Sequence, residues 1–360
     1  MRLHSLRTTL QRRLPAPPAA RLVPLLALLT ACATRVKTIE ISEVEPGPGP
    51  RILAVIAHPD DESAFAGAVF ASAVEHGSVV DVLCLTNGEG GFKYSTLAER
   101  EHGVRLTEES VGRAELPAIR EAELTRALGW LGVRRLLLLQ QTDHRYTTDL
   151  GEVLPVSEAA ASPWDLDLVR EELAQLLADG EYELVLALAP SPSTHAHHQA
   201  ATLLAAEAVQ ALPAAERPLL LAPTSRRLED GPVAPAGLEG QPSLEPMAGP
   251  FTFNRRTRFG HRERLDYSIP ILWAMAEHRS QGTLQMMVGR ADLEDYWMLA
   301  ASIPEFATAD DVEALAMRAK AWTDLLATPT FTVPTYGASA GTNAQVGGVE
   351  PESTRATDAR

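Results

Sequence analysis

Two short stretches of this 360-residue chain concentrate side chains that bind metals and move protons. The first is His58-Pro59-Asp60-Asp61-Glu62. The second, about 130 residues later, is Thr194-His195-Ala196-His197-His198. A catalytic zinc site needs three protein ligands and an open fourth position, and two histidines plus one carboxylate meet that need. A carboxylate left over can act as general base on a water whose pKa the metal lowers from about 15.7 towards about 7. A remaining histidine can stabilise an oxyanion. The pattern does not decide which aspartate binds the metal and which takes the proton. A lone His-Pro-Asp-Asp-Glu also fits a turn in which an aspartate caps a helix, but two such clusters together favour a site.

Position supports this. Arg51–Ala57 is a continuous apolar run of the kind found in a buried parallel strand, and the first cluster follows it directly. A small-residue helix through Phe65, Ala68, Val69, Ser72 and Ala73 ends at Gly77. Further strands are expected at Val79–Leu85, Arg135–Gln140, Leu184–Ala189 and Pro218–Ala222. Helices are expected over 117–130, from Leu166 to Gly180, and over 306–326. Apolar strands alternating with helices imply an open, mostly parallel, Rossmann-like α/β sheet covered on both faces. Ligands then bind beyond the carboxyl ends of the strands, where both clusters fall.

The remaining sequence limits the setting. Residues 1–21 carry five arginines and no acid, a short apolar run Leu22–Leu29 follows, and Leu29-Thr30-Ala31-Cys32 has the form of a bacterial lipobox. The run is too short to span a bilayer, which takes about 20 residues. The expectation is a signal peptide over 1–31, lipidation at Cys32, and an extracytoplasmic protein anchored to a bacterial membrane on its periplasmic side, with Ala33 compatible with the outer membrane. Cys84, the other cysteine, lies in an apolar run and reads as a buried small hydrophobe. Residues 32–50 read as a linker, 51–328 as the catalytic α/β domain, and 329–360 as a disordered tail. Within the domain, the proline-rich 224–262 reads as an irregular insertion. A net charge of −15 and the lack of a basic stripe argue against a nucleic-acid partner.

The first cluster, after an Ala-Val-Ile-Ala strand, resembles the opening motif of the PIG-L/LmbE-like deacetylases, a metal-dependent N-acetylglucosaminyl deacetylase family. Four more segments are similar in order: Thr86-Asn87-Gly88-Glu89; Arg120-Glu-Ala-Glu123 with Ala127-Leu-Gly129; His195-x-x-His198; and Ala274-Met275 with His278-Arg-Ser280-Gln281. The resemblance implies His58, Asp61 and His198 as ligands of Zn²⁺, or of Fe²⁺, which the same donors suit. It implies Asp60 as general base and His195 as oxyanion stabiliser or proton donor, with Arg120 and Asn87 positioning substrate. The expected reaction is hydrolysis of an N-acyl, chiefly N-acetyl, amide on a small amino-sugar-like substrate. An amidase of a thiol or peptide conjugate, or an inactive carbohydrate-binding lipoprotein, are the alternatives.

Two departures stand out. Where the family commonly reads His-Pro-Asp-His, this chain has Ala196 and His197, so His197 is expected to point to the substrate rim, or else to replace His198 as ligand. Where the family often has Pro-Asp-Gly after the third strand, Asp143 is kept as a substrate contact and His144 replaces the glycine. Phe251, Phe253 and Trp273 are candidates for stacking on a sugar ring.

Overall fold

The computed structural model describes residues 36–157, 160–287 and 291–328. The leader with Cys32 and the tail 329–360 lie outside the described residues. Among the described residues ten strands form: β1 (Lys37–Glu40), β2 (Arg51–Ile56), β3 (Val79–Thr86), β4 (Arg135–Gln141), β5 (Leu184–Ala187), β6 (Leu219–Arg226), β7 (Pro246–Asn254), β8 (Arg258–Phe259), β9 (Leu265–Asp266) and β10 (Leu293–Leu299). The helices are α1 (Asp61–Phe65), α2 (Gly67–Glu75), α3 (Glu99–His102), α4 (Glu109–Trp130), α5 (Leu166–Gly180), α6 (Ala196–Ala211), α7 (Ser268–Glu277) and α8 (Ala309–Leu326).

Eight strands make one sheet in the order β1-β4-β3-β2-β5-β6-β10-β7, and β8 and β9 make a small ribbon. From β4 to β6 the neighbours are parallel, while β1, β10 and β7 pair antiparallel. The continuous apolar strands divide their side chains between two covered faces, as the side-chain period of two requires. Ile52, Ala54 and Ile56 of β2 join Phe70 of α2, Leu124 and Leu128 of α4, Ile271 of α7 and Leu326 of α8 in one core. Leu53, Val55 and Ala57 join Val169 and Leu173 of α5 and the alanine-rich face of α6 in the other.

This is the expected α/β architecture, with differences where local pattern is weak. The stretch read as a linker contains β1, which pairs with β4 from Lys37↔Leu138 to Glu40↔Arg135. The stretch 224–262 contains β7, paired along β10; its prolines and glycine hid the alternation. Helix α4 starts eight residues before the expected 117, with Pro117 inside it. Leu116 there packs with Phe92, Ala98 and Leu106, so tertiary burial outweighs the local cost of proline. The helix expected through Phe65 and Gly77 is two, broken at Ala66.

Reading only the parallel strands, the order out from β2 runs one way through β3 and β4 and the other way through β5 and β6. The sheet therefore reverses direction between β2 and β5, and a crevice opens at such a switch point. The two clusters leave these two neighbouring strands.

Candidate metal centre

The turn after β2 is built around charges. Asp61 Oδ2 accepts the backbone N–H groups of Ala57 (3.0 Å) and His58 (2.8 Å), which aims its other oxygen outward. Asp60 adopts φ 140° and ψ −17°, a conformation forbidden to most L-residues and costing about 1–3 kcal/mol. Arg120 of α4 helps hold it there. Its guanidinium donates to the Pro59 carbonyl, to the Gly88 carbonyl (2.5 Å) and to Asp60 Oδ2 (2.9 Å). Gly88 is left-handed at φ +69°, and a Cβ there would collide with that guanidinium. Behind the turn, buried His278 meets Glu62 at 2.7 Å, and Ser280 donates to Glu123 through N–H (2.8 Å) and Oγ (2.5 Å).

The turn after β5 is built from imidazoles. His195 precedes α6, and His197 and His198 occupy its first turn. His195 Nε2 donates to the Arg145 carbonyl at 3.0 Å, and its ring stacks on Tyr146 with centroids 5.0 Å apart. Ala196 N–H donates to the Thr147 carbonyl at 2.7 Å, pinning the helix start to the loop after β4. Thr194 Oγ1 lies 3.1 Å from His198 Nδ1. With Nδ1–H donating to that hydroxyl, the lone pair stands on Nε2, facing the first turn.

The two turns meet. His58 Nδ1 is 3.1 Å from His198 Nε2, and His198 Nε2 is 3.2 Å from the outward Asp61 Oδ1, while His58 Nδ1 is 3.7 Å from Oδ2. Ligands about 2.0–2.1 Å from a tetrahedral zinc stand about 3.3–3.4 Å apart, and one ligand atom from each of the three residues lies within 4.8 Å of the other two, so they could hold a divalent ion with a fourth position open. Asp61 has the ionised form a ligand needs, while against burial Asp143 and Asp61 raise His58. Burial alone would raise Asp61, but His198 and His58 hold it well below the usual carboxylate range. Burial, with Arg120 opposing and Asp61 adding, pushes Asp60 up to about 6. Burial and the positive character of His58 and His197 lower His195 to about 3, and burial lowers His197 to about 4 despite Asp143.

His58, Asp60, Asp61, His195 and His198 are thus brought together. His197 corrects the expectation of a rim residue: it is fully buried, with Nδ1 3.1 Å from His58 Nε2 and 3.4 Å from Asp143 Oδ1. Its place under the cluster follows from helical geometry, since one residue before His198 turns about 100° towards the sheet. Asp143 is buried and accepts the Gly90 N–H at 3.1 Å. Asn87 donates to the Gln140 carbonyl at 3.3 Å, a turn contact. Arg120 is 2% exposed and faces Asp60 and two carbonyls. Phe253 is in the core, and Trp273 packs against Trp130 with centroids 5.0 Å apart. Sequence reasoning missed the supports: Thr194 behind His198, and the Glu62–His278 and Glu123–Ser280 pairs. Their signal was available only as the resemblance at His278-Arg-Ser280-Gln281, which says nothing of partners 157 to 216 residues away.

Comparison with known proteins agrees with the geometry. Residues 53–209 match the family described as PIG-L: GlcNAc-PI de-N-acetylase. The probable N-acetyl-alpha-D-glucosaminyl L-malate deacetylase 2 of Bacillus cereus is 22% identical over 247 residues, covering 68% of this chain and 96% of that protein. Two solved structures are also similar to the chain over part of its length. N,N'-diacetylchitobiose deacetylase from Pyrococcus horikoshii is 19% identical with a TM-score of 0.43, covering 73% of this chain and 89% of its own. The 4-carboxy-2-hydroxymuconate hydratase from Pseudomonas putida is 18% identical with a TM-score of 0.43, covering 72% and 98%. The stretch that matches the PIG-L family model contains both turns.

Proposed function

We propose that the protein is a metal-dependent N-deacetylase that hydrolyses the N-acetyl amide of a small amino-sugar-like substrate to a free amine and acetate. The observation that carries this is the grouping of His58 Nδ1, Asp61 and His198 Nε2 with a spare carboxylate, Asp60, one residue away. The PIG-L match and the Bacillus cereus relative, named as a deacetylase of an N-acetylglucosaminyl malate, support the substrate class.

His58, Asp61 and His198 would hold Zn²⁺, with Fe²⁺ as the other fit. When bound, the ion supplies Lewis-acid polarisation of the amide carbonyl and a more acidic water. Asp60 takes the water's proton, and its raised pKa brings a carboxylate closer to the strength a general base needs near neutrality. Arg120 acts on substrate only through Asp60, fixing its oxygen and its strained backbone. The proton that Asp60 takes from the water returns to the departing amine by way of His195 Nδ1, which is open to accept it because Nε2–H is committed to the Arg145 carbonyl. Asp143 stands behind His58 in this reading, and Asn87 shapes the turn.

The test is metal content and amine release by the purified chain, wild type beside Asp61→Ala and His198→Ala. About one zinc or iron bound at the site, lost in both variants along with amine release from N-acetylated amino sugars, is the expected result. A wild-type chain that stays metal-free when zinc is supplied overturns it. Amine release from thiol or peptide conjugates only, with the same metal dependence, would move the substrate class and keep the site.

We further propose that the protein works outside the cytoplasm, tethered through a lipid on Cys32, on the strength of the basic leader, the short apolar run and the Leu29–Cys32 tetrad. Metabolic labelling with a fatty acid should mark the wild type and not Cys32→Ala. Equal labelling of both would overturn the tether.

A further inference from the structure

His58 has two ring nitrogens, and each faces a set of electron-pair donors. On the Nδ1 side lie Asp61 and His198, the site described above. On the Nε2 side lie His197 Nδ1 at 3.1 Å and Asp143 Oδ1 at 3.9 Å, themselves 3.4 Å apart. This second set closes as a true triangle on single atoms, with sides of 3.1, 3.4 and 3.9 Å. A ligand atom of His195 lies within 4.8 Å of all three.

The surroundings prepare this triangle as they prepare the first site. His197 Nε2 is 3.0 Å from His144 Nδ1, and His144 Nε2 is 3.5 Å from Glu152 Oε2. With the His144 proton turned to Glu152, His144 Nδ1 accepts from His197 Nε2–H, and the lone pair of His197 stands on Nδ1. A histidine whose far nitrogen donates outward has the outer-shell arrangement of metal ligands. Here the lone pair points at a carboxylate oxygen, an arrangement that a cation between them resolves. Gly90 makes room, since a Cβ there would stand 2.6 Å from Asp143 Oδ1. His197 and His144 are two of the residues by which this chain departs from the motifs it otherwise resembles, and they are in contact.

We propose a second divalent-cation site back to back with the first, made by His58 Nε2, Asp143 Oδ1 and His197 Nδ1, with His195 in reach as a fourth ligand. Imidazole-rich donors with one carboxylate select a zinc-like transition ion over calcium or magnesium. His58 then bridges the two ions, and the proton displaced from its Nε2 leaves to solvent. The inference concerns binding alone and stands whatever the substrate of the first site.

The test is titration of the demetallated full chain with Zn²⁺ and with Co²⁺, counting bound metal after desalting. Wild type should bind two equivalents, and His197→Ala and Asp143→Asn one each. His198→Ala, which removes a ligand of the first site only, should keep the second equivalent. A wild-type measurement guards against misfolded variants: two Co²⁺ ions sharing one imidazole couple magnetically, so the paramagnetic resonance signal should fall as the second equivalent enters. A wild type that stops at one equivalent overturns the proposal, as do two equivalents with simply additive signals, or a stoichiometry unchanged in both variants. Zinc bound by wild type and lost entirely in His198→Ala also overturns it, while leaving the first site intact as a reading.

Discussion

The turn after β2 and the turn after β5 face each other across the switch point and are held by different forces. The first is fastened by full charges: Arg120 to Asp60, and Glu62 to His278, all deep in the domain. The second is fastened by neutral contacts: a hydroxyl behind His198, backbone carbonyls behind His195 and Ala196, the His195 ring stacked on Tyr146 and edge-on to His197. A buried ion pair costs several kcal/mol when one partner is removed, whereas a hydrogen bond between neutral groups contributes about 0.5–1.5 kcal/mol. The β2 turn should therefore be intolerant and the β5 turn adaptable. The sequence bears this out in one respect: the first motif keeps the pattern it resembles, and the second has exchanged Pro and Asp for Ala196 and His197 without losing His195 or His198.

The largest effect should come from Asp61→Ala. It removes a metal ligand and also leaves the Ala57 and His58 N–H groups without their acceptor. Amine release should fall steeply as metal catalysis is lost, and the equivalent of metal held by Asp61 should be missing from the elemental analysis. Asp60→Asn separates base from ligand: metal should stay, and kcat should drop by roughly 10²–10⁴, the usual weight of general-base catalysis. If metal leaves as well, Asp60 is holding the ion.

Arg120→Met tests the charge fastening itself. It strands Asp60 and two carbonyls, so the domain should lose about 3–5 kcal/mol, read as a lower denaturant midpoint with an unchanged slope. The pH profile sharpens the same point. Asp60 accepts a proton only when ionised, and burial holds its pKa at about 6. Thus kcat/KM should rise as pH climbs through about 6 and be lost below it. Arg120 opposes that upward shift, so in Arg120→Lys any loosened contact should move the limb to higher pH; a limb that moves down contradicts the assignment. The smallest effect belongs to the β5 turn. Thr194→Val should weaken metal affinity by about 10-fold, at the low end for an outer-shell partner, with folding stability nearly unchanged.

The parallel core and the two ligand turns were legible because they rest on local signals. Continuous apolar runs such as Leu184–Leu188 can bury both faces only in a covered sheet, and a polar cluster immediately after such a run marks a strand's carboxyl end. The antiparallel edge was not legible. β7 carries Pro246, Gly249 and Pro250, which break the alternation, and β1 is four residues with a largely exposed pattern. The supports of the site were hidden for another reason. His278 serves Glu62, and Arg120 serves Asp60 and Gly88, over separations that no local pattern records. His197, expected at the substrate rim or in place of His198, instead meets Asp143 and His144 from the loop after β4, which no local pattern brings to it.

The pairing of β2 with β5 also bears on how the chain folds. His58 and His198 lie 140 residues apart in sequence, and they meet only after β3, β4 and α5 have been laid down between them and β5 has docked beside β2. Closing so long a loop carries an entropy cost that only late contacts repay. An ion captured by both turns would act as a clasp across that closure, binding the finished sheet and not its precursors, so metal uptake during refolding should lag behind helix formation and report the moment the two halves of the sheet join.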